Sequence, residues 1–455
     1  MKKKTGKKEF TTTQIIMLSF LLTILIGSLL LSLPISSADG ESVGYLNALF
    51  TATTSTCVTG LVVSPTFSTW SVFGHIVILL LIQIGGLGVI TVVTGFMVAI
   101  NRKMGVKDSY LIQDAFNLNT LSGLSKFIKK VILGTFIIEG IGALLYMTVF
   151  VRDFGARGIW ISIFNSVSAF CNAGIDIFAE DSLCAYATNP IINTVTSLLI
   201  VIGGIGYIVW WDVIRVLGLI KKEGFKALRR LTLHTKIVLI TTAVLILGGG
   251  FLILIFEYNN PETIAGMSFF DKLQVAFFQS ITTRTAGFMS VPQADLTSAS
   301  KILSVVLMFI GGSPVGTAGG IKTVTVTVLF AVAASMIKNK DEVTMFNRTL
   351  TKQVTQKAVA VFTISSAIVF VSVILLSIAM PNADVMTLIY EATSAIATVG
   401  LSMDFTPTLN DFGKLIIIAT MYLGRIAPIS LAFAFNSKKK NLNSIKNPIE
   451  DISVG

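Results

Sequence analysis

Apolar runs long enough to cross a hydrocarbon core recur along the chain, separated by short polar stretches. A spanning helix needs about 20 such residues, and the pattern predicts the first at 15–33. Between the long runs lie semi-apolar segments of roughly 14 residues rich in Ser, Thr and Ala, such as 47–59 and 388–399. These are too short to span and suit re-entrant helices. The order apolar helix, semi-apolar segment, second apolar helix occurs four times. Each semi-apolar segment ends in a strip with glycine: Thr56-Cys57-Val58-Thr59-Gly60, Phe170-Cys171-Asn172-Ala173-Gly174, Thr283-Arg284-Thr285-Ala286-Gly287 and Ile396-Ala397-Thr398-Val399-Gly400.

The spacing of the last residue in each strip marks an internal repeat. Gly60 to Gly174 is 114 residues, Gly174 to Gly287 is 113 and Gly287 to Gly400 is 113. With 37 glycines in the chain one such interval could be chance, but three with similar flanks are not. A second register agrees. Each second helix carries a small-residue break, at Gly85-Gly86, Gly203-Gly204, Gly311-Gly312 and Gly424-Arg425, and Lys301 and Lys414 at two helix starts are also 113 apart. The expected architecture is an all-α membrane protein of four helix–pore loop–helix repeats around a pseudo-fourfold pore. A tail at 1–12 precedes repeats at 13–105, 106–222, 223–340 and 341–436, and a tail at 437–455 follows.

Charge orients this arrangement. Only 13% of the 455 residues are charged and mean hydropathy is +0.80, against about 25% charged in a soluble domain. Of the 35 Lys and Arg residues, 27 fall in five clusters, at 1–8, 102–130, 215–236, 338–357 and 438–446. The positive-inside bias puts these clusters, and with them both termini, in the cytoplasm. Two full spans plus one re-entrant loop per repeat return every linker to that side. The net charge of +11 is therefore a membrane feature that can also meet lipid headgroups, and it does not indicate nucleic acid. Three cysteines and two histidines form neither a disulfide framework nor a metal or catalytic set, so an enzyme is not expected.

Four dipping loops bring main chain to membrane depth, which is tolerated only inside protein or along water. Carbonyl oxygens aimed at an axis can replace the hydration shell of a cation. Glycine lets the strip adopt φ > 0 and keeps side chains off the axis. The pore-helix C-termini add a favourable partial negative charge, and no strip contains Asp or Glu. These features predict a potassium-conducting filter made of the twenty strip residues named above.

At these strips the chain resembles the Trk/Ktr/HKT superfamily of potassium transporters, and within it the Ktr-type membrane subunit. The matching stretches are LFTATTSTCVTGL, LIQIGGLGVIT, SAFCNAGI, LHTKIVL, TTRTAGF, FIGGSPVGTAGGIK, SAIATVGLS and GRIAPIS. The resemblance implies potassium uptake across a bacterial plasma membrane, a homodimer with two separate pores, and control by a cytosolic ring of KtrA/KtrC-like, RCK-type subunits that bind the nucleotide. Sodium stimulation is a further implication. Cys57 and Cys171 depart from the pattern and are expected to be open to silver or mercury reagents.

A gate is expected in the third repeat. Its second helix contains Gly311, Gly312, Ser313, Pro314, Gly316, Thr317, Gly319, Gly320 and Lys322, with five glycines and one proline between 311 and 320. At about 1 kcal/mol per glycine and 3 per proline, this stretch should be a loop at membrane depth, over 311–321. The resemblance implies the same and makes the loop a plug. Arg425, where the other repeats carry Gly86, Gly204 and Gly312, is a costly intramembrane charge. It is expected to hydrogen-bond the loop from the cavity below the filter; a pairing with Glu391, taken as the one acid within a pore helix, is the alternative. Arg284 should point behind the filter, toward Glu391 or a carbonyl. The remaining functional rival is a secondary carrier of another cation or a small solute, which would more often show inverted repeats and a midplane acid cluster.

Overall fold

The computed structural model describes residues 12–99 and 124–426. The first repeat comprises α1 (Thr12–Leu31), the pore helix α2 (Tyr45–Cys57), α3 (Val72–Leu87) and α4 (Val89–Ala99). The second comprises α5 (Leu124–Phe154), pore helix α6 (Arg157–Cys171), α7 (Pro190–Gly204) and α8 (Tyr207–Glu223). The third has α9 (Leu233–Glu257), pore helix α10 (Phe269–Thr282), α11 (Ser298–Phe309) and α12 (Thr323–Ile337); the fourth has α13 (Lys352–Ala379), pore helix α14 (Val385–Ala397) and α15 (Asp411–Ile426). A two-residue hairpin of β1 (Thr344–Met345) and β2 (Arg348–Thr349) joins the last two repeats. The chain is a multi-pass membrane protein. The first helix of each repeat is the long apolar one: Gln14–Leu31, Leu124–Phe154, Leu233–Glu257 and Lys352–Ala379 all suffice to cross a membrane.

The second helices are broken, as the small-residue register predicts, but not uniformly. In the first repeat the break falls at Gly88, with φ 84°, just past Gly85 and Gly86. In the second, Gly206 at φ 90° opens α8 and the axis turns by 100° between α7 and α8. The third is interrupted from 310 to 322. In the fourth, α15 runs through Gly424 and Arg425 to Ile426, and the position that matches Gly88 and Gly206 lies outside the described residues.

The pore helices are 13, 15, 14 and 13 residues long, about 20 Å at 1.5 Å per residue. Their starts are capped where the sequence supplies a short polar side chain. Asp384 accepts from the Met386 and Thr387 amides, and Ser268 accepts from the amide of Asp271. Asp271 thus lies in the first turn of α10, so Glu391 is not the sole acid of a pore helix. Packing is cyclic. Each second helix abuts the pore helix of the next repeat: α3 on α6, α7 on α10, α11 on α14, and α15 back on α2. The Lys414 ammonium donates to Asn47 Oδ1 at 3.0 Å across the closing seam. The interior is apolar, with Phe50, Phe164, Phe170 and Phe278 all nearly inaccessible.

Candidate selectivity filter and intramembrane loop

The four strips meet. A Cβ on Gly60 would strike the Ala173 carbonyl, one on Gly174 the Ala286 carbonyl, one on Gly287 the Val399 carbonyl and one on Gly400 the Thr59 carbonyl. The order runs once around the four repeats and closes. The same hypothetical atom on Gly60 lies 3.2 Å from Gly400 Cα and 3.3 Å from Gly174 Cα. One carbonyl per repeat, from the residue before the glycine, is therefore held at the same ring, and no side chain fits there.

The local backbone explains the aim of these carbonyls. Each strip has left-handed residues two positions apart: Val58 and Gly60 (φ 57° and 98°), Asn172 and Gly174 (61° and 64°), Thr285 and Gly287 (66° and 81°), Thr398 and Gly400 (49° and 97°). The alternation turns amides backward and carbonyls forward. The Thr59, Ala173 and Val399 amides bond the Thr54, Ser168 and Ser394 carbonyls at 2.8, 2.8 and 2.9 Å. The hydroxyls of the same three residues catch the Gly60, Ile175 and Gly400 amides at 3.0, 3.1 and 3.0 Å. With the donors taken up behind the strip, oxygen remains for the axis. The Thr56, Thr59, Thr285 and Thr398 hydroxyls are buried and make no hydrogen bond among the described residues. A ring of carbonyl oxygens without a carboxylate suits a weakly hydrated monovalent cation better than a divalent one.

Glycines of the second helices let the main chains approach. Cβ atoms on Gly85, Gly203 and Gly424 would collide with the carbonyls of Thr56, Phe170 and Ile396, the first residue of the strip in each case. In the third repeat the intramembrane loop takes this place. Residues 311–322 are non-helical, and Val315 sits at φ 64°. The loop is tied across to the second repeat's elbow: the Ser313 and Thr317 amides donate to the Gly204 and Gly203 carbonyls at 2.9 and 3.2 Å, and the Tyr207 amide donates to Val315 at 3.0 Å. Thr317 Oγ1 donates to the Phe170 carbonyl at 3.1 Å and to Asn172 Oδ1 at 3.0 Å. Gly319 packs under Ala397 and Thr398. The loop thus touches the bases of the second and fourth strips.

Two cations hold three successive carbonyls of this loop. Arg425 Nη1 donates to Thr317 at 2.6 Å, and Nη2 donates to the Gly85 carbonyl of the first repeat. Lys322 Nζ donates to Ala318 at 2.6 Å and to Gly319 at 3.3 Å. Arg425 therefore bonds the loop as expected. Glu391 is not its partner: that carboxylate accepts from Ser402 at 2.8 Å and Thr406 at 2.5 Å. Arg284 does point behind the filter, but toward Thr242 Oγ1 at 3.5 Å on α9 and not toward Glu391. It lies two residues past the end of α10.

Cys57 and Cys171 are fully buried. The Cys171 thiol faces Gly86, with Gln83 Oε1 and Glu139 Oε1 each 3.9 Å away. Neither thiol is exposed in this structure, in contrast to the open position expected for silver or mercury reagents. Glu139 escaped the sequence reading. It is 4% exposed in the middle of α5 and accepts from Gln83 Nε2 at 3.1 and 3.2 Å. A lone acid inside the run IIEGIGALL was the signal available.

A fourfold ring of main-chain oxygen over a loop held by two basic side chains fits a multi-pass cation transport protein. The chain belongs to the TrkH family of cation transport proteins, whose model it matches over residues 2–445. It is 37% identical over 458 residues to the potassium/sodium uptake protein NtpJ of Enterococcus hirae, covering 100% of this chain and 99% of that one. It is likewise 37% identical over 448 residues to the Ktr system potassium uptake protein B of Bacillus subtilis, covering 98% and 97%. The fold matches the potassium transporter TrkH from Vibrio parahaemolyticus with a TM-score of 0.74 at 17% identity, over 95% of this chain and 86% of that one.

Proposed function

We propose that the chain takes up potassium across the plasma membrane of a bacterium through the glycine ring, with dehydrated ions coordinated by the carbonyls of the four strips. The observation that carries this reading is the closed cycle of the Thr59, Ala173, Ala286 and Val399 carbonyls against Gly400, Gly60, Gly174 and Gly287. A potassium ion holds its water loosely enough for neutral oxygens to replace it. The relatives' names, potassium uptake in one and potassium/sodium uptake in the other, support the same cargo and leave sodium as its activator or co-substrate.

The loop at 311–321 acts as the gate. It lies against the filter's inner end while Arg425 and Lys322 hold its carbonyls and place two positive charges on the ion's route. Opening moves the loop off Phe170 and Thr398. A cytosolic nucleotide-binding regulatory ring sets that equilibrium from the basic face, and the functional unit is a homodimer with both termini cytoplasmic. The Ktr system name of the Bacillus relative fits a membrane component of a larger assembly. Potassium uptake in a transporter-deficient bacterial strain, with and without a co-expressed cytosolic partner, tests this reading. Rescue of growth at low potassium that needs Gly60 and Gly287 is the expected result; rescue that survives their replacement by Ser refutes the carbonyl ring.

A further inference from the structure

Two of the five basic clusters in the sequence, 215–236 and 338–357, converge in space. Together they line a cavity of about 340 Å³ that includes Arg215, Arg229, Arg230, Lys236 and Arg348. Positive-inside topology requires such residues on one side of the membrane, but it does not require them to surround a cavity. Two of the charges are spent: Arg215 pairs with Asp212 at 2.6 Å and Arg230 with Glu223 at 2.9 Å. Lys236 donates to the Arg229 carbonyl at 2.8 Å, which compensates no charge. Among the described residues Arg229, Lys236 and Arg348 have no carboxylate partner, and no acid lines the cavity. The N-terminal turn of α9 opens at the same place, with Leu233 on the wall, so its dipole adds to the positive potential.

The elbow supplies the membrane side of the site. Because α8 turns 100° away from α7, it runs along the membrane face when α7 follows the membrane normal. Its Leu217 is 53% exposed, and the following Phe225 is 82% exposed. On the other wall Phe346 is 51% exposed. Apolar side chains beside uncompensated Lys and Arg are the pattern of an interfacial helix, and basic pockets at this depth suit anionic lipid heads. We propose that the cavity binds the phosphate headgroup of an anionic phospholipid, with Arg229, Lys236 and Arg348 on the phosphate and Phe346 against the acyl chains. The inference does not depend on which ion the pore passes.

The test uses the full-length protein in an uncharged detergent, titrated separately with dihexanoyl-phosphatidylglycerol, dihexanoyl-phosphatidylcholine and inorganic phosphate. At roughly fivefold in affinity per basic residue, the triple variant R229Q/K236Q/R348Q should bind the glycerol lipid on the order of a hundredfold more weakly. Phosphatidylcholine should show no such difference, which also certifies that the variant is folded. The charge-keeping variant R229K/R348K should stay within a few fold of wild type. Equal binding of phosphatidylglycerol by wild type and triple variant overturns the proposal. So does inorganic phosphate binding as tightly as the lipid, which makes the site one for a free anion. If the triple variant loses a cytosolic protein partner while its lipid binding is unchanged, the cavity is a protein contact and the proposal also fails.

Discussion

Arg425→Ala tests the gate most directly, because this side chain bridges two repeats with two bonds. Nη1 reaches the Thr317 carbonyl at 2.6 Å and Nη2 the Gly85 carbonyl. A hydrogen bond from a charged donor is worth about 1.5–3 kcal/mol, and only the Nη1 bond ends on the loop, so Arg425 holds the loop by roughly that amount, with the Gly85 bond anchoring the side chain. That corresponds to a factor of about 10 to 150 in the balance between seated and displaced loop. A loop seated about 99% of the time would then be displaced in about a tenth to somewhat over half of the molecules. Loss of the positive charge from the ion's route acts in the same direction. Potassium flux into proteoliposomes, with no cytosolic partner added, should therefore rise by about ten- to a hundredfold. Arg425→Lys, which keeps the charge but not the fork, should fall between. Flux within twofold of wild type, in a variant shown to be folded, would mean that the Arg425 bonds are structural and do not hold a gate.

Deleting residues 316–319 removes the Thr317, Ala318 and Gly319 carbonyls that the two cations grip, and should raise flux at least as much as Arg425→Ala; an unaltered rate excludes the loop as the barrier. Gly287→Ser forces a side chain into a backbone at φ 81° and against the Val399 carbonyl, at a cost of about 1–3 kcal/mol. The ratio of potassium to sodium permeation should drop by about tenfold, measured as reversal potential or competitive uptake. Asp176 lies in the outer loop after the second strip, where burial, reinforced by the neighbouring Asp181 carboxylate, pushes its carboxyl up to about 7. Below that pH it is neutral and above it negative, so it attracts cations to the mouth only on the alkaline side. Uptake at low potassium should rise between pH 6 and pH 8 as Asp176 ionises, and Asp176→Asn should flatten the rise; a profile unchanged by that substitution counts against a role for the charge.

The repeat was legible before any folding, because a 113-residue period is written in the order of residues. The pore helices and the left-handed glycines were legible too, since short Ser/Thr/Ala segments ending in glycine have few other uses at membrane depth. The break at 311–320 was equally local: glycine and proline oppose helix wherever they stand. Contacts between distant segments had to await the folded chain. No local rule sends Arg284 to Thr242 and not to Glu391, or couples Arg425 to Gly85, 340 positions away. The 100° elbow after Gly204 depends on loop carbonyls and amides from another repeat that satisfy its backbone. The cavity joining 215–236 to 338–357 exists only once the third and fourth repeats are packed. Propensity and period act along the chain, while the partner of a buried charge is set by which oxygens the closed ring leaves within reach.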